Sequence, residues 1–464
     1  MQGSVWGSIF CTTSIDKLGQ IAYENEDLLY MYKGQVAVPP ISMVDDILCI
    51  TKCSDSAKIN ATVNAFVEMK KLTLSKSKCN RIHIGKNVEP CPELKTHNEK
   101  MKDSSQEKYL GDFVNSTGNV KATVADRIGK GYGIVSEIRA ILNEIPLGRY
   151  KLEIGLQLRQ AMLINGLLYN SEAWHSVTQE DIRGFEKVDE SLLRFLLGSH
   201  PKAPLEMLYL ESGATPIRYV LTSRRMNYFH TIIRREDEEL TKRILKAQME
   251  DPCPGDFIKL IEEDCKKIGI PFETEFVENS SPEFYKKFIK SKVKEAAFQY
   301  LTKLQKTHSK VKDIKFEKLE IQKYLTSPVF SNYETKLLFA LRSRTLEGIR
   351  ANFPNMYKEN LNCPLNCWSQ DEQIQKDTQQ HILVCPTISS KFKSAETSFG
   401  AIRYEDIFSD VHKQKEVTAL IGQLLDVRED CLPGAHLDPS TSLGSCCDDA
   451  LCTCCVLNVL SCGK

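Results

Sequence analysis

From about residue 119 the apolar residues recur at three- and four-residue steps through successive segments. No other feature of the 464-residue chain constrains its fold as tightly. RIGKGYGIVSEIRAILNEI, LEIGLQLRQAMLINGLLYNSEAW, QEDIRGFEKVDESLLRFLLG and YVLTSRRMNYFHTIIRRE each carry a stripe of helical period, so the middle of the chain is expected to be helical. DPCPGD at 251–256 breaks the run with two prolines and a glycine. A second helical region follows near 284–323. It holds 12 Lys against 4 acids, a local net of +8.

The first 85 residues read differently, as mixed α/β. Ser14–Asn25 has a helical stripe at Ile15, Leu18, Ile21 and Ala22, and SDSAKINATVNAFVEMKKL is a second helix opening on cap-like Ser54, Asp55 and Ser56. Between them, VAVPPISMVDDILCI gives two short apolar runs, the second interrupted by Asp45 and Asp46. CNRIHIG reads as a strand ending at Gly85, and the polar residues 86–107 as a linker or exposed loop.

The 61 basic and 61 acidic side chains balance, which excludes bulk attraction to polyanions but not local patches. An apolar content of 42% excludes disorder throughout, and the length suggests roughly three folded units. No stretch approaches the roughly 20 apolar residues that span a bilayer. MQGSVWGSIF lacks the basic flank of a signal peptide, so a soluble, intracellular protein without membrane partners is expected. An odd total of 17 cysteines also argues against a secreted disulfide framework, and Cys11, Cys49, Cys79 and Cys265 read as reduced core residues.

Two carboxylates inside an apolar β-like run are costly to bury unless a cation or strong donors satisfy them. A tight hairpin with Asp45 and Asp46 at its turn would bring carboxylate oxygens to the surface, a geometry suited to Mg²⁺. Read alone, the pair also fits an ordinary Asp-rich turn with no metal. Four segments in order give it a context: Gln2-Gly3-Ser4-Val5, Met43-Val44-Asp45-Asp46, Leu74-Ser75-Lys76-Ser77-Lys78 and Tyr109-Leu110-Gly111. The series resembles the reverse transcriptase of non-LTR (LINE-like) retrotransposons, with Met43 in place of an aromatic residue. LLYNSEAWHSV and FEKVDESLLRFLLGSHPKAPLEMLYLESGATPI extend the likeness, which covers about residues 1–235 and again 360–390.

The resemblance implies an RNA-directed DNA polymerase that extends a DNA primer on an RNA template. Asp45 would be the main Mg²⁺ ligand and Asp46 its partner, with Gln2, Gly3 and Ser4 against nucleotide and template. Lys78 would approach the nucleotide phosphates, although alone it also reads as a solvated strand-edge lysine. In the family a fingers region and a first palm aspartate precede the Gln-Gly-Ser segment. Here that segment begins at residue 2, so the chain is expected to be inactive by itself.

Cys363, Cys367, His381 and Cys385 follow a C-x3-C-x13-H-x3-C pattern. Three thiolates and an imidazole at these spacings can close a tetrahedral Zn²⁺ site, structural because no position stays open. The family carries a similar late segment, though CPLNC here has one extra residue. Arg218, Arg224, Arg225, Arg234 and Arg235 lie in a helical stretch with Tyr219, Tyr228 and Phe229 interleaved and no acid between them. Such a face can track a phosphate backbone, or it is an amphipathic helix with arginines in water. Cys446, Cys447, Cys452, Cys454, Cys455 and Cys462 crowd a tail that fits no metal pattern and reads as disordered.

The expected architecture is α+β: a partial palm (1–111), a helical thumb-like region (112–250), a Lys-rich helical region (257–350), a zinc-binding segment (360–390) and a Cys-rich tail (429–464). A non-catalytic nucleic-acid-binding protein derived from a retroelement is the alternative.

Overall fold

The computed structural model describes residues 15–25, 28–75, 77–85, 91–96, 99–145, 149–357, 360–365, 367, 375–391 and 403–432. Gln2, Gly3 and Ser4, together with Cys11 and the cysteines beyond 432, lie outside them. The chain divides into two units, 1–328 and 329–464, and the described residues are mostly helical with a few small sheets. The division falls inside the stretch 257–350 that the sequence presented as one region.

The N-terminal part of the first unit is an α+β mixture. A helix over 15–23 and the helix Ser56–Met69 bury Leu18, Phe66 and Val67 together, with Ile21, Ile47, Val63 and Leu74 against them. Ala22, Leu28 and Ile59 form a second small cluster beside Leu29 and Cys49. Each sheet among the described residues has two strands. The strand expected over 79–85 is reduced to Asn80–Arg81, which pairs in parallel with Lys102–Asp103. The polar stretch expected as a linker forms short strands as well, including the hairpin Lys95–Thr96 with Glu99–Lys100. Ladder pairing needs backbone groups rather than apolar alternation, which is why composition hid these strands.

The helical prediction carries over closely. Gln179–Leu197 opens on a capping box between Thr178 and Asp181 and stops at Gly198 in the left-handed region. Phe185, Val188, Leu192 and Leu193 on its inner side are fully buried. The helices Lys121–Leu142, Leu205–Ser212, Ile217–Ile233 and Pro282–Thr307 pack with it into the core of the unit. DPCPGD separates the helices Leu240–Glu250 and Phe257–Ile268, as its prolines require. Gly213 ends Leu205–Ser212 at φ 68°, and a Cβ there would lie 2.5 Å from the Ile321 backbone nitrogen. Only glycine permits both the turn and the Ser212–Ile321 strand bridge beside it.

Buried charge also ties this core together. Arg159 donates to both oxygens of Asp189 at 2.5 and 2.6 Å, and Tyr209 donates its hydroxyl to the same carboxylate at 2.9 Å. Arg159 belongs to a π-helical turn, Arg159–Ile164, that follows the helix Arg149–Leu158.

In the second unit, Asn332–Arg342 and Val411–Cys431 pack against each other. The latter runs through 429–431, so the first residues assigned to a disordered tail are helical. Among the described residues no helix is long and apolar enough to cross a membrane.

Candidate metal centre

Cys363, Cys367, His381 and Cys385 are all buried, and their ligand atoms lie within 4.8 Å of one another. The Cys363–Cys367 and Cys367–Cys385 sulfur separations are 3.7 and 3.1 Å. Thiolates sharing a tetrahedral zinc at about 2.3 Å stand about 3.8 Å apart, so the Cys363–Cys367 spacing matches a metal-bridged pair and the Cys367–Cys385 pair is closer than one. Neither ring nitrogen of His381 has a hydrogen-bond partner, although both are buried. Orphaned imidazole nitrogens in a core are costly, and a metal bond removes that cost. Cys385, in contact with Cys363, holds the Cys363 thiol well below its ordinary pKa and is itself pushed up. The four residues form a group that fits a zinc ion.

Local backbone structure explains how they meet. Cys363 N–H donates to Gln375 and Gln375 N–H to Cys367, which closes the knuckle around Pro364 and Leu365. His381 opens a single helical turn, His381–Val384, and the next residue is Cys385. Asp377, fully buried, accepts both Arg428 guanidinium nitrogens at 2.8 Å and the Arg350 amide at 2.8 Å. Ile349, Ile382, Ile388, Leu420 and Leu424 complete the core around the sulfurs. The candidate metal-binding group therefore shares a core with residues from 349 to 424, wider than the segment 360–390 read from the cysteines.

The aspartates also sit where a hairpin was expected. Ile41–Met43 and Asp46–Leu48 pair antiparallel, with Met43 opposite Asp46 and Val44-Asp45 as a two-residue turn. Val44 has φ 57°, a strained conformation for a β-branched residue, tolerated where a tight hairpin demands positive φ. Both carboxylates are exposed, while Ile47 packs into the small core behind them. The buried Tyr109 hydroxyl has no hydrogen-bond partner, and burial first, then the charge on Asp46, raises its pKa. Among the described residues no third acidic, His or Cys side chain joins this pair in a metal-sized cluster. Lys78 is exposed in the turn after Ser75.

Compared with known proteins, the chain matches no family model, no curated protein and no solved structure.

The five arginines do not form a free cationic face. Arg225 is buried in a two-pronged pair with Asp264 at 2.6 and 2.8 Å, and Arg218 makes a similar pair with Glu186 at 2.7 and 3.0 Å. Arg224 donates to the Leu168 carbonyl and to Asn165, and Arg235 pairs with Glu239. Arg234 alone of the five is exposed without an ion pair among the described residues. No acid lies between them in the sequence because Glu186 and Asp264 arrive from other helices. The stretch is a seam of the bundle, with Tyr219 and Phe229 buried beside it.

The Lys-rich region noted in the sequence resolves into particular side chains, and one further cluster was not visible there at all. Lys286, Lys287, Lys290, Lys303 and Lys306, on the 26-residue helix Pro282–Thr307, are exposed and make no ion pair among the described residues. Their signal was the charge excess at 284–323. Cys53, His83 and Cys91 also converge, with the two cysteines joined as a disulfide. Their sequence spacing resembles no metal pattern, so only the fold reveals them.

Proposed function

We propose that the chain is part of a non-LTR retrotransposon-type reverse transcriptase, acting on an RNA template and a DNA primer. The observation that carries this reading is the β-hairpin that exposes Asp45 and Asp46 at its tip over the packed Ile47. Mg²⁺ is bound through one or two carboxylates plus water and substrate phosphates, and this pair fits such a donor set. When bound, the ion polarises phosphoryl oxygens and neutralises developing charge. Asp45 and Asp46 hold it. Zn²⁺ at Cys363, Cys367, His381 and Cys385 is structural, because four protein ligands leave no open position.

Primer–template binding and extension by the full chain test this reading. Mg²⁺ is expected to tighten binding of a primer–template with a deoxynucleoside triphosphate, and Asp45→Asn with Asp46→Asn to abolish that effect. Extension by the chain alone should stay at background, since no third carboxylate joins the pair among the described residues. Identical Mg²⁺ responses in parent and variant would overturn the assignment.

A second reading, non-catalytic nucleic-acid binding, is favoured by the unpaired lysines on Pro282–Thr307. Replacing Lys286, Lys287 and Lys290 with Gln should then lower affinity and reduce the slope of log K against log salt by roughly 0.7–0.9 per lost phosphate contact. An unchanged slope would remove that helix from the interface.

A further inference from the structure

Cys53 opens the short 3-10 turn Cys53–Asp55 that leads into the helix Ser56–Met69, and Cys91 lies 38 residues further along the chain. His83 Nδ1 faces both sulfurs, 3.6 Å from Cys91 and 3.9 Å from Cys53. Its other nitrogen, Nε2, is 3.4 Å from Asp103 Oδ1. Asp103 is placed by the parallel strand pair that sets it opposite Arg81, and Arg81 Nε donates to the same oxygen at 2.6 Å. An imidazole with one nitrogen on two sulfurs and the other on a carboxylate has the outer-shell arrangement of a metal-bound histidine. In a zinc site, imidazole nitrogen and thiolate sulfur stand about 3.6 Å apart, close to both spacings seen here. A disulfide needs neither the imidazole nor the carboxylate behind it.

We propose that Cys53, Cys91 and His83 form a second zinc site when the disulfide is reduced, with Asp103 orienting His83 and the fourth position open to water. The site is a redox switch. A disulfide of the glutathione class takes two electrons from the two zinc-bound thiolates, and a bond forms between the Cys53 and Cys91 sulfurs. Zn²⁺ leaves, and two protons from solvent complete two thiols on the reduced oxidant. A thiol reductant and Zn²⁺ run the sequence backwards. The Cα–Cα distance of 5.1 Å lets the two sulfurs move from a bond to a shared metal by side-chain rotation. This inference does not depend on the polymerase reading.

The test is zinc stoichiometry on the full chain after removal of excess metal, with Co²⁺ substitution as a spectroscopic count of thiolate ligands. The reduced parent should hold one zinc more than the oxidised parent and one more than Cys53→Ser, Cys91→Ser or His83→Ala. The zinc at Cys363, Cys367, His381 and Cys385 serves as an internal reference that those variants keep. Asp103→Asn should keep the stoichiometry but bind this zinc about 10–100-fold more weakly. Equal zinc content in reduced parent, oxidised parent and His83→Ala would overturn the proposal and leave a plain disulfide beside a histidine.

Discussion

Stripping zinc from Cys363, Cys367, His381 and Cys385 should unfold the unit that begins at 329. The group has no exposed edge from which metal can leave at little structural cost. Its sulfurs share a core with Ile349, Ile382, Ile388, Leu420 and Leu424. Without the ion, three sulfurs crowd together and both nitrogens of His381 stay buried and unpartnered. Structural zinc contributes about 10–16 kcal/mol, comparable with or larger than the whole stability of an ordinary domain. Hydrogen exchange is the direct measurement. After chelation, or in Cys385→Ser, amide protection should collapse along Val411–Cys431 and around Asp377. Protection in Gln179–Leu197 should persist and report that the first unit is intact. Because the thiolates bind the ion deprotonated, acidification should release zinc and produce the same loss, with protection greater on the alkaline side. A metal-free protein with undiminished protection at Leu420 and Leu424 would exclude a structural role for zinc.

How far this architecture could be read in the chain depended on the range of the interaction that decided each element. Gln179–Leu197 was legible to within a residue, because its stripe, its Thr178 cap and its Gly198 stop are all local. The hairpin at the aspartates was legible for the same reason, though its turn falls on Val44-Asp45, one residue before the expected Asp45-Asp46, and Asp46 opens the second strand. The four candidate zinc ligands could be found by spacing, yet the extent of their unit could not. That extent depends on Asp377 meeting Arg428, and no local pattern records the pairing. The arginines of 218–235 mislead by the same rule: their partners Glu186 and Asp264 are distant in sequence, so a seam looked like a charged face. Cys53 and Cys91 are joined across 38 residues, and His83 reaches them through a strand pairing only two residues long. Local periodicity carries no information about such contacts.

Asp189→Ala should destabilise the first unit by about 3–5 kcal/mol, as removal of one partner from a buried ion pair does. Asp189 is fully buried and accepts three hydrogen bonds, two from Arg159 and one from Tyr209. Arg159 also donates to the Thr215 carbonyl at 2.9 Å, so its guanidinium is held in place when the carboxylate is gone. The variant therefore leaves a positive charge in the core with one neutral acceptor. Tyr209→Phe removes a single hydrogen bond to the charged group and should cost less, about 1.5–3 kcal/mol. Replacing both ion-pair partners, Arg159→Met with Asp189→Leu, removes the stranded charge and should recover most of the stability lost in Asp189→Ala. Urea unfolding followed at Trp174, which stacks on Phe185 of the same helix, reads all three variants. A double variant no more stable than Asp189→Ala would locate the cost in packing rather than charge. A loss below about 1 kcal/mol in Asp189→Ala would place the pair with exposed surface bridges and contradict its role in pinning the π-helical turn to Gln179–Leu197.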